Sequence, residues 1–473
     1  MEQAAPFKLN VKRTFIIGFA FFGILLLWQV YDSWCPTMLT ELFKKSFGVT
    51  DDQQVQYLVG VMMAIDNLAA LILLPIFGNL SDKTHTKIGK RMPYILVGTF
   101  VCAVAFPFIP IFFHYNNAAG VIAMMAIVVI FAMMYRNPAV ALMPDMTPKP
   151  LRSKANGIIN IMGYIGGAFA TVVGIFFVLS QYLGTELAKD GTLKPYTWAH
   201  NNIWAIEAPF LIASVLMLIS ALVLFFTIKE NKVAAEVADE MRRGEEFAEA
   251  VDKVEEDKPM SKANKITLIL ILVAEFFWFM ADNGIGTFMG NYAVYFLGTS
   301  TRSSMINTIV GGVGSVIGFA VGGIIASKIS RKWTMFGGLG LTLLSYVMWA
   351  ILTFVLDIGG SGTFPVWIYA VWFIKGFGMS LVHVNSFPMV VELCSSKKIG
   401  KFTGLYYAAS MAAQTITPIA LGTLLLAPSF GWEFLPVYAL VCVIISAAVL
   451  FFVKTGKKNF EVKKGLEAFD DPE

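Results

Sequence analysis

Twelve apolar stretches of roughly 20 residues or more follow one another along this chain. They lie near 14–39, 53–80, 93–113, 118–142, 155–180, 204–228, 265–297, 305–326, 334–356, 365–391, 402–427 and 433–453. About 20 apolar residues in a helix cross the ~30 Å hydrocarbon layer of a bilayer. The chain therefore reads as an all-α integral membrane protein with twelve transmembrane helices. Composition agrees, with 14% of its residues charged against about 25% in a soluble domain.

Charge placement sets the orientation. With both termini in the cytoplasm, 29 of the 36 Lys and Arg fall on the inner side, five outside (Lys44, Lys45, Lys189, Lys194, Arg302) and two within helices (Arg136, Lys375). Loops rich in Lys and Arg stay inside, so a multi-pass protein of the cell (inner or plasma) membrane is expected, and no nucleic-acid partner. Lys8, Lys12 and Arg13 precede an apolar run too long for a signal-peptide core, which reads as a retained first helix. Cys35, Cys102, Cys394 and Cys442 are scattered without a Cys-x-x-Cys pair, so neither a disulfide framework nor a metal site is expected. No Gly-x-Ser-x-Gly elbow, phosphate loop or His-rich cluster suggests an enzyme or a cofactor.

The twelve segments divide into two sets of six: 1–228, a hydrophilic linker 229–264, 265–453 and a short tail 454–473. The linker is rich in Ala, Glu and Arg, with Val237, Met241 and Phe247 among its charges. It reads as a solvated or surface-lying helix between two bundles. The halves echo each other. Gly78-Asn-Leu-Ser-Asp82-Lys83, closing with Gly89-Lys90-Arg91, recurs as Gly323-Ile-Ile-Ala-Ser327-Lys328 with Arg331-Lys332. Asp145, Lys154 and Gly157 recur at the same spacing as Glu392, Lys401 and Gly404. A duplicated membrane protein has a pseudo-symmetric midplane interface where solutes bind and move. Because Ser327 stands in the place of Asp82, only the first loop is expected to make a charged latch.

Ionisable groups in hydrocarbon are costly and functional by default. The inventory is Asp32, Asp66, Arg136, Glu275, Asp282, Lys375 and His383. Four acids face two permanent cations, and a carboxylate stranded in low dielectric favours its protonated form. Asp66, Asp32, Asp282 and Glu275 are therefore the candidate proton-coupling residues. For Asp66 a structural hydrogen bond is the alternative, and for Arg136 a permanent ion pair. Arg136 lies nine residues, about 13 Å of helix, above Asp145, and His383 lies nine above Glu392, which makes them repeat equivalents. Glu275 and Asp282, seven apart, share a helix face.

Aromatic faces stack on sugar rings, while amides and acids bond hydroxyls. Trp28, Gln29, Asp32, Arg136, Asn160, Trp278, Asn283, Trp372, Lys375, His383, Asn385 and Gln414 supply that mixture as candidate substrate-binding residues. Each aromatic alone also fits packing or lipid contact. Small residues let helices approach closely. The glycines of segments 5 (Gly157, Gly163, Gly166, Gly167, Gly174) and 8 (Gly311, Gly312, Gly314, Gly318, Gly322, Gly323) suggest packing of those two segments across the halves, with packing inside one bundle as the alternative.

The Gly78-x-x-x-Asp82-Lys83 pattern resembles the loop signature of the major facilitator superfamily. The resemblance implies two pseudo-symmetric six-helix bundles that rock about a central site lined by helices 1, 4, 7 and 10. Gly89-Lys90-Arg91-Met92-Pro93, Tyr135-Arg136-Asn137-Pro138, the run to Asp145 and Leu151 to Asn156 are similar to the glycoside–pentoside–hexuronide:cation symporters and the sucrose/proton symporters. Two departures qualify this. Ala70 and Leu74 stand where the sodium-binding Asp pair of melibiose-type transporters would fall, and Val140 stands where plant-type sucrose carriers have an Arg. The resemblance implies symport of a disaccharide or small glycoside with protons, by a monomer. Proton-coupled export of a drug or amphiphile, or sodium-coupled sugar symport, are the alternatives. Gly78, Asp82, Lys83, Gly89, Lys90, Arg91 and Asp145 are expected to form a cytoplasmic gate holding the outward-open state.

Overall fold

A computed structural model describes residues 7–183, 185–187, 193–195, 202–254, 261–393, 399–427 and 429–453. Lys189, Cys394 and the tail 454–473 lie outside them, as do residues 255–260 of the linker. Twelve helices in it are long and apolar enough to span a membrane. The first six are α1 (Val11–Phe47), α2 (Gln56–Lys83), α3 (Met92–His114, interrupted at Phe106–Pro107), α4 (Ala118–Asp145), α5 (Arg152–Phe176) and α6 (Trp204–Thr227). A linker helix follows (Glu230–Val254). The second six are α7 (Lys262–Asn291), α8 (Thr301–Ile329), α9 (Arg331–Phe354), α10 (Val366–Val391), α11 (Ile399–Leu425) and α12 (Leu435–Phe451). A two-stranded hairpin, β1 (Thr185–Leu187) and β2 (Leu193–Pro195), sits between α5 and α6.

Local chemistry fixes several helix ends. The Asn10 side chain accepts from the Arg13 N–H at the start of α1, and Gly48, at φ 66°, ends that helix in the left-handed region. Asn117 and Ser261 cap α4 and α7 in the same way. The guanidinium groups of Arg13 and Arg152 donate to the carbonyls of Met146, Pro144 and Thr147 around the end of α4, where unpaired carbonyls favour cations.

Each half encloses its own apolar core. The first gathers residues such as Leu27, Met38, Phe106, Leu142 and Phe210, and the second gathers Ile271, Phe288, Trp349, Val382 and Leu421. The linker helix lies on the surface of the first half: Val237 is buried and Val233 packs on the first core, while most of its other described residues are exposed.

The glycines mostly serve packing within a bundle. Gly163 and Gly166 lie against Leu25 and Phe22 of α1, and Gly314 and Gly318 lie against Phe373, Phe377 and Ser380 of α10. α5 and α8 also pack across the halves, where Gly174 lets Met305 and Trp34 close in and the Arg302 Nε donates to the Ile175 carbonyl at 2.8 Å. The halves also pack through α1 with α7 and α2 with α11. At the latter seam, Gly60 lies against the Pro418 carbonyl and Gly422 against that of Gln56.

Candidate functional site

In the first half, Asp32 on α1 and Asp66 on α2 lie within electrostatic range of each other, and Arg136 on α4 within range of Asp66. Asp66 is buried, and its Oδ1 accepts from the backbone N–H of Asn67 at 2.6 Å and from the Asn67 amide at 3.0 Å. Asp32 is exposed although its neighbour Tyr31 is fully buried. Trp28 meets Tyr31 edge-on at 5.6 Å and its indole N–H has no partner among the described residues. Gln29 donates to Ser33 at 3.0 Å, and the Asn160 amide nitrogen on α5 is unpartnered.

In the second half, Lys375 of α10 forms an ion pair with Asp282 of α7. His383 lies within electrostatic range of both, with the Phe279 ring 5.3 Å from its own. Here an acid and a cation of one half are paired directly. Asn283 and Gln414 are half-buried. Four other candidates are enclosed. Glu275 and Trp278 are 0% exposed, and neither the Glu275 oxygens nor the Trp278 N–H has a partner among the described residues. Trp372 packs on Trp349 at 4.9 Å and against Gly311, while Asn385 is buried and donates to the Leu381 carbonyl of its own helix. In this state these four do not line a space that a solute reaches.

At the end of the bundles that carries the N-terminus and the basic loops, called here the basic side, the gate residues assemble within the first half. The buried Arg91 pairs with Asp82, bonds Ser81 and reaches Asp145 at 2.9 Å; Lys90 reaches the same Asp145 oxygen at 3.0 Å. Burial works to lower the Arg91 guanidinium, but the adjoining Asp145 and Asp82 outweigh it and raise it above its ordinary value. Gly78 makes room for the Asn137 amide, which bonds the Leu74 carbonyl. Lys83 is exposed and joins none of these bonds.

The second half does make a charged latch, contrary to the expectation from Ser327. Arg331 bonds Glu392 at 3.0 Å, so the acid comes from the end of α10 and not from the loop. Gly89 and Ser330, each directly before the basic pair, share the same backbone turn at φ 120° and 119°. The first loop has a partner that sequence reasoning missed. Glu230, the first residue of the linker helix, accepts from the backbone N–H groups of Lys90, Arg91 and Met92 at 2.9, 3.0 and 3.0 Å.

At the opposite, far side a second unforeseen set of bonds joins the halves. The Asn291 amide donates to Thr40 Oγ1 and Gln56 Oε1, both at 3.0 Å, and all three residues are fully buried. The Tyr295 hydroxyl, on a π-helical turn continuing α7, donates to Glu41 at 2.7 Å. Trp432 Nε1 donates to Asp52 at 2.7 Å. These residues lie at helix ends, where no spacing rule ties α1 and α2 to α7 and α12.

The description Major Facilitator Superfamily matches residues 14–361 and 268–470 of this chain. The chain belongs to that superfamily. Among curated proteins, no sequence matches it. Similar solved structures include the POT family transporter PepTSo (12% identity, TM-score 0.63, covering 93% of this chain and 98% of that one). A POT family transporter in complex with 5-aminolevulinic acid is similar at 13% identity and TM-score 0.63, covering 93% and 96%. So is a bacterial homolog of the human lysosomal transporter Spinster, in an inward-facing and occupied conformation, at 14% identity and TM-score 0.60, covering 94% and 96%. At such identities the likeness is one of fold. The protein is a multi-pass superfamily transporter, not an enzyme.

Proposed function

We propose that this superfamily member is a proton-coupled symporter of a disaccharide or small glycoside, working by alternating access as a monomer. One observation carries the reading. The first half gathers two acids, Asp32 and Asp66, with Arg136, whereas Asp282 in the second half already has Lys375. Each half then holds one more acid than permanent cations, and because the second half's Glu275 is enclosed, a mobile proton is loaded at Asp32 or Asp66. The exposed Asp32, with the far side bonded shut, is consistent with access from the basic side. The excess of Lys and Arg there supports a cytoplasmic placement of that side, in the cell membrane. Trp28, Gln29, Asn160, Asn283, His383 and Gln414 are the groups offered to hydroxyls, and the resemblance to sugar symporters supports that substrate class.

A second reading, uptake of a small zwitterion, is favoured by the Lys375–Asp282 pair, which presents both signs of charge. The similarity to a transporter in complex with 5-aminolevulinic acid points the same way. Proteoliposome uptake separates them. Labelled sucrose accumulates under an inward proton gradient on the first reading and 5-aminolevulinic acid on the second. Accumulation that survives a protonophore overturns proton coupling, and dependence on sodium replaces it with the cation alternative.

A further inference from the structure

The carboxylate of Glu230 is 4% exposed and sits in a nest of three consecutive backbone N–H groups, Lys90 to Met92, at the start of α3. Such a nest concentrates the unpaired donors of a helix N-terminus and holds an anion well. Asn231, the next residue, donates to the carbonyls of Thr86 and Lys87 at 2.9 and 3.1 Å. Both residues belong to the linker helix, so the linker grips the loop between α2 and α3 from both flanks. Further along, Gly244 lies against Pro148 and Lys149 of the loop between α4 and α5. Glu236 and Glu240 lie within electrostatic range of Arg13, and Glu245 of Arg152. One acidic helix thus ties together the N-terminal segment and both inner loops of the first bundle.

Among the described residues, the second half holds the same turn without a strap. Its equivalent of Gly89 is Ser330, whose own hydroxyl accepts from the Trp333 N–H. A side chain at Gly89 would collide with the Glu230 carboxylate, so the glycine serves both the positive φ and the incoming acid.

We infer that Glu230 is a positioning residue for the basic-side gate: by fixing the backbone of residues 90–92 it aims Arg91 at Asp82 and Asp145, and the linker helix is a strap that makes the first bundle's inner ends move as one body. The inference needs the superfamily's two-bundle architecture and does not depend on the substrate or the coupling ion.

The test needs no substrate. Spin labels at positions 83 and 328, both exposed ends of opposite halves, report by double electron–electron resonance how far the purified full-length protein closes on the basic side. Glu230→Ala is expected to shift the open-to-closed ratio roughly tenfold, the scale of losing one hydrogen bond to a charged group. Glu230→Gln, which keeps an acceptor without the charge, is expected to shift it less, and Gly89→Ala, which fills the seat, as much as Glu230→Ala. In an Arg91→Ala background, Glu230→Ala should add nothing, because its effect runs through that guanidinium. A shift of full size in that background overturns the inference, as does an unchanged distribution in both Glu230→Ala and Gly89→Ala. Should Glu230→Ala not fold, Glu230→Gln carries the same cycle.

Discussion

The two ends of the molecule are held by different kinds of bond. At the far side, residues of one half bond residues of the other: Asn291 with Thr40 and Gln56, Tyr295 with Glu41, Trp432 with Asp52. At the basic side, the ion pairs of Arg91 and Arg331 close on acids of their own half. A bond between halves resists their separation, whereas a bond within a half stiffens the part that moves. The far side is therefore the seam that must open when this transporter changes state, and the basic-side clusters are the handles that shape the ends closing over each other there. The chemistry fits those tasks. The neutral bonds of the buried Asn291 are costly to leave unmade, while partly exposed ion pairs such as Arg331–Glu392 are individually weak.

Breaking the seam should give the largest effect. Asn291→Ala removes both donations to Thr40 and Gln56 and leaves buried acceptors, which costs the far-side-closed state about 3 kcal/mol. Alkylation of a cysteine placed at Thr37, near Gly290 on the opposing helix, by a membrane-impermeant maleimide added from the far side should then rise steeply. Gly60→Ala forces a methyl onto the Pro418 carbonyl where α2 meets α11. It should loosen the same seam by about 2 kcal/mol, read by the same labelling.

The handles should respond unequally. Arg91, 6% exposed, has several partners, and Arg91→Ala is expected to lower the unfolding free energy by about 2 kcal/mol, since it removes a buried guanidinium bonded to Asp82, Ser81 and Asp145. Arg331→Ala, whose partner Glu392 is 32% exposed, should cost under about 1 kcal/mol. Thermal melting of the two variants side by side distinguishes them, and equal losses would remove the asymmetry. The smallest expected effect is a gain. Ser330 holds φ 119° and ψ 156°, a region few residues other than glycine adopt. Ser330→Gly should therefore stabilise by about 1 kcal/mol after the weakened cap is allowed for.

Much of the architecture was legible because it rests on length and hydropathy, which a sequence displays directly. The pairing of Asp145 with the Gly89-Lys90-Arg91 loop was legible too, because the motif is local and repeated. The second latch was half visible. Glu392 stood out as the repeat of Asp145, but the missing acid at Ser327 drew attention away from Arg331. Glu230 was hidden by its setting in a hydrophilic linker. An acid at the first linker residue, with a glycine two residues before Arg91, was the available signal. Sequence spacing also set Glu275 and Asp282 on one face of α7, yet Glu275 is enclosed while Asp282 is partly open. α12 covers the helix beside Glu275, where Ser446 bonds the carbonyl of the preceding Ala274 at 2.9 Å. Which side of a helix a neighbour covers is a tertiary fact, and so are the partners of Asn291, Tyr295 and Trp432.

The central contrast is best tested by measuring both ends at once. Spin-label pairs at positions 47 and 357 span the far ends of the two halves, and pairs at 83 and 328 span the basic ends, all at exposed residues. The account predicts that Asn291→Ala lengthens the first distance and shortens the second together, as halves rocking about a common site require. A far-side distance that lengthens while the basic-side distance stays fixed would contradict it.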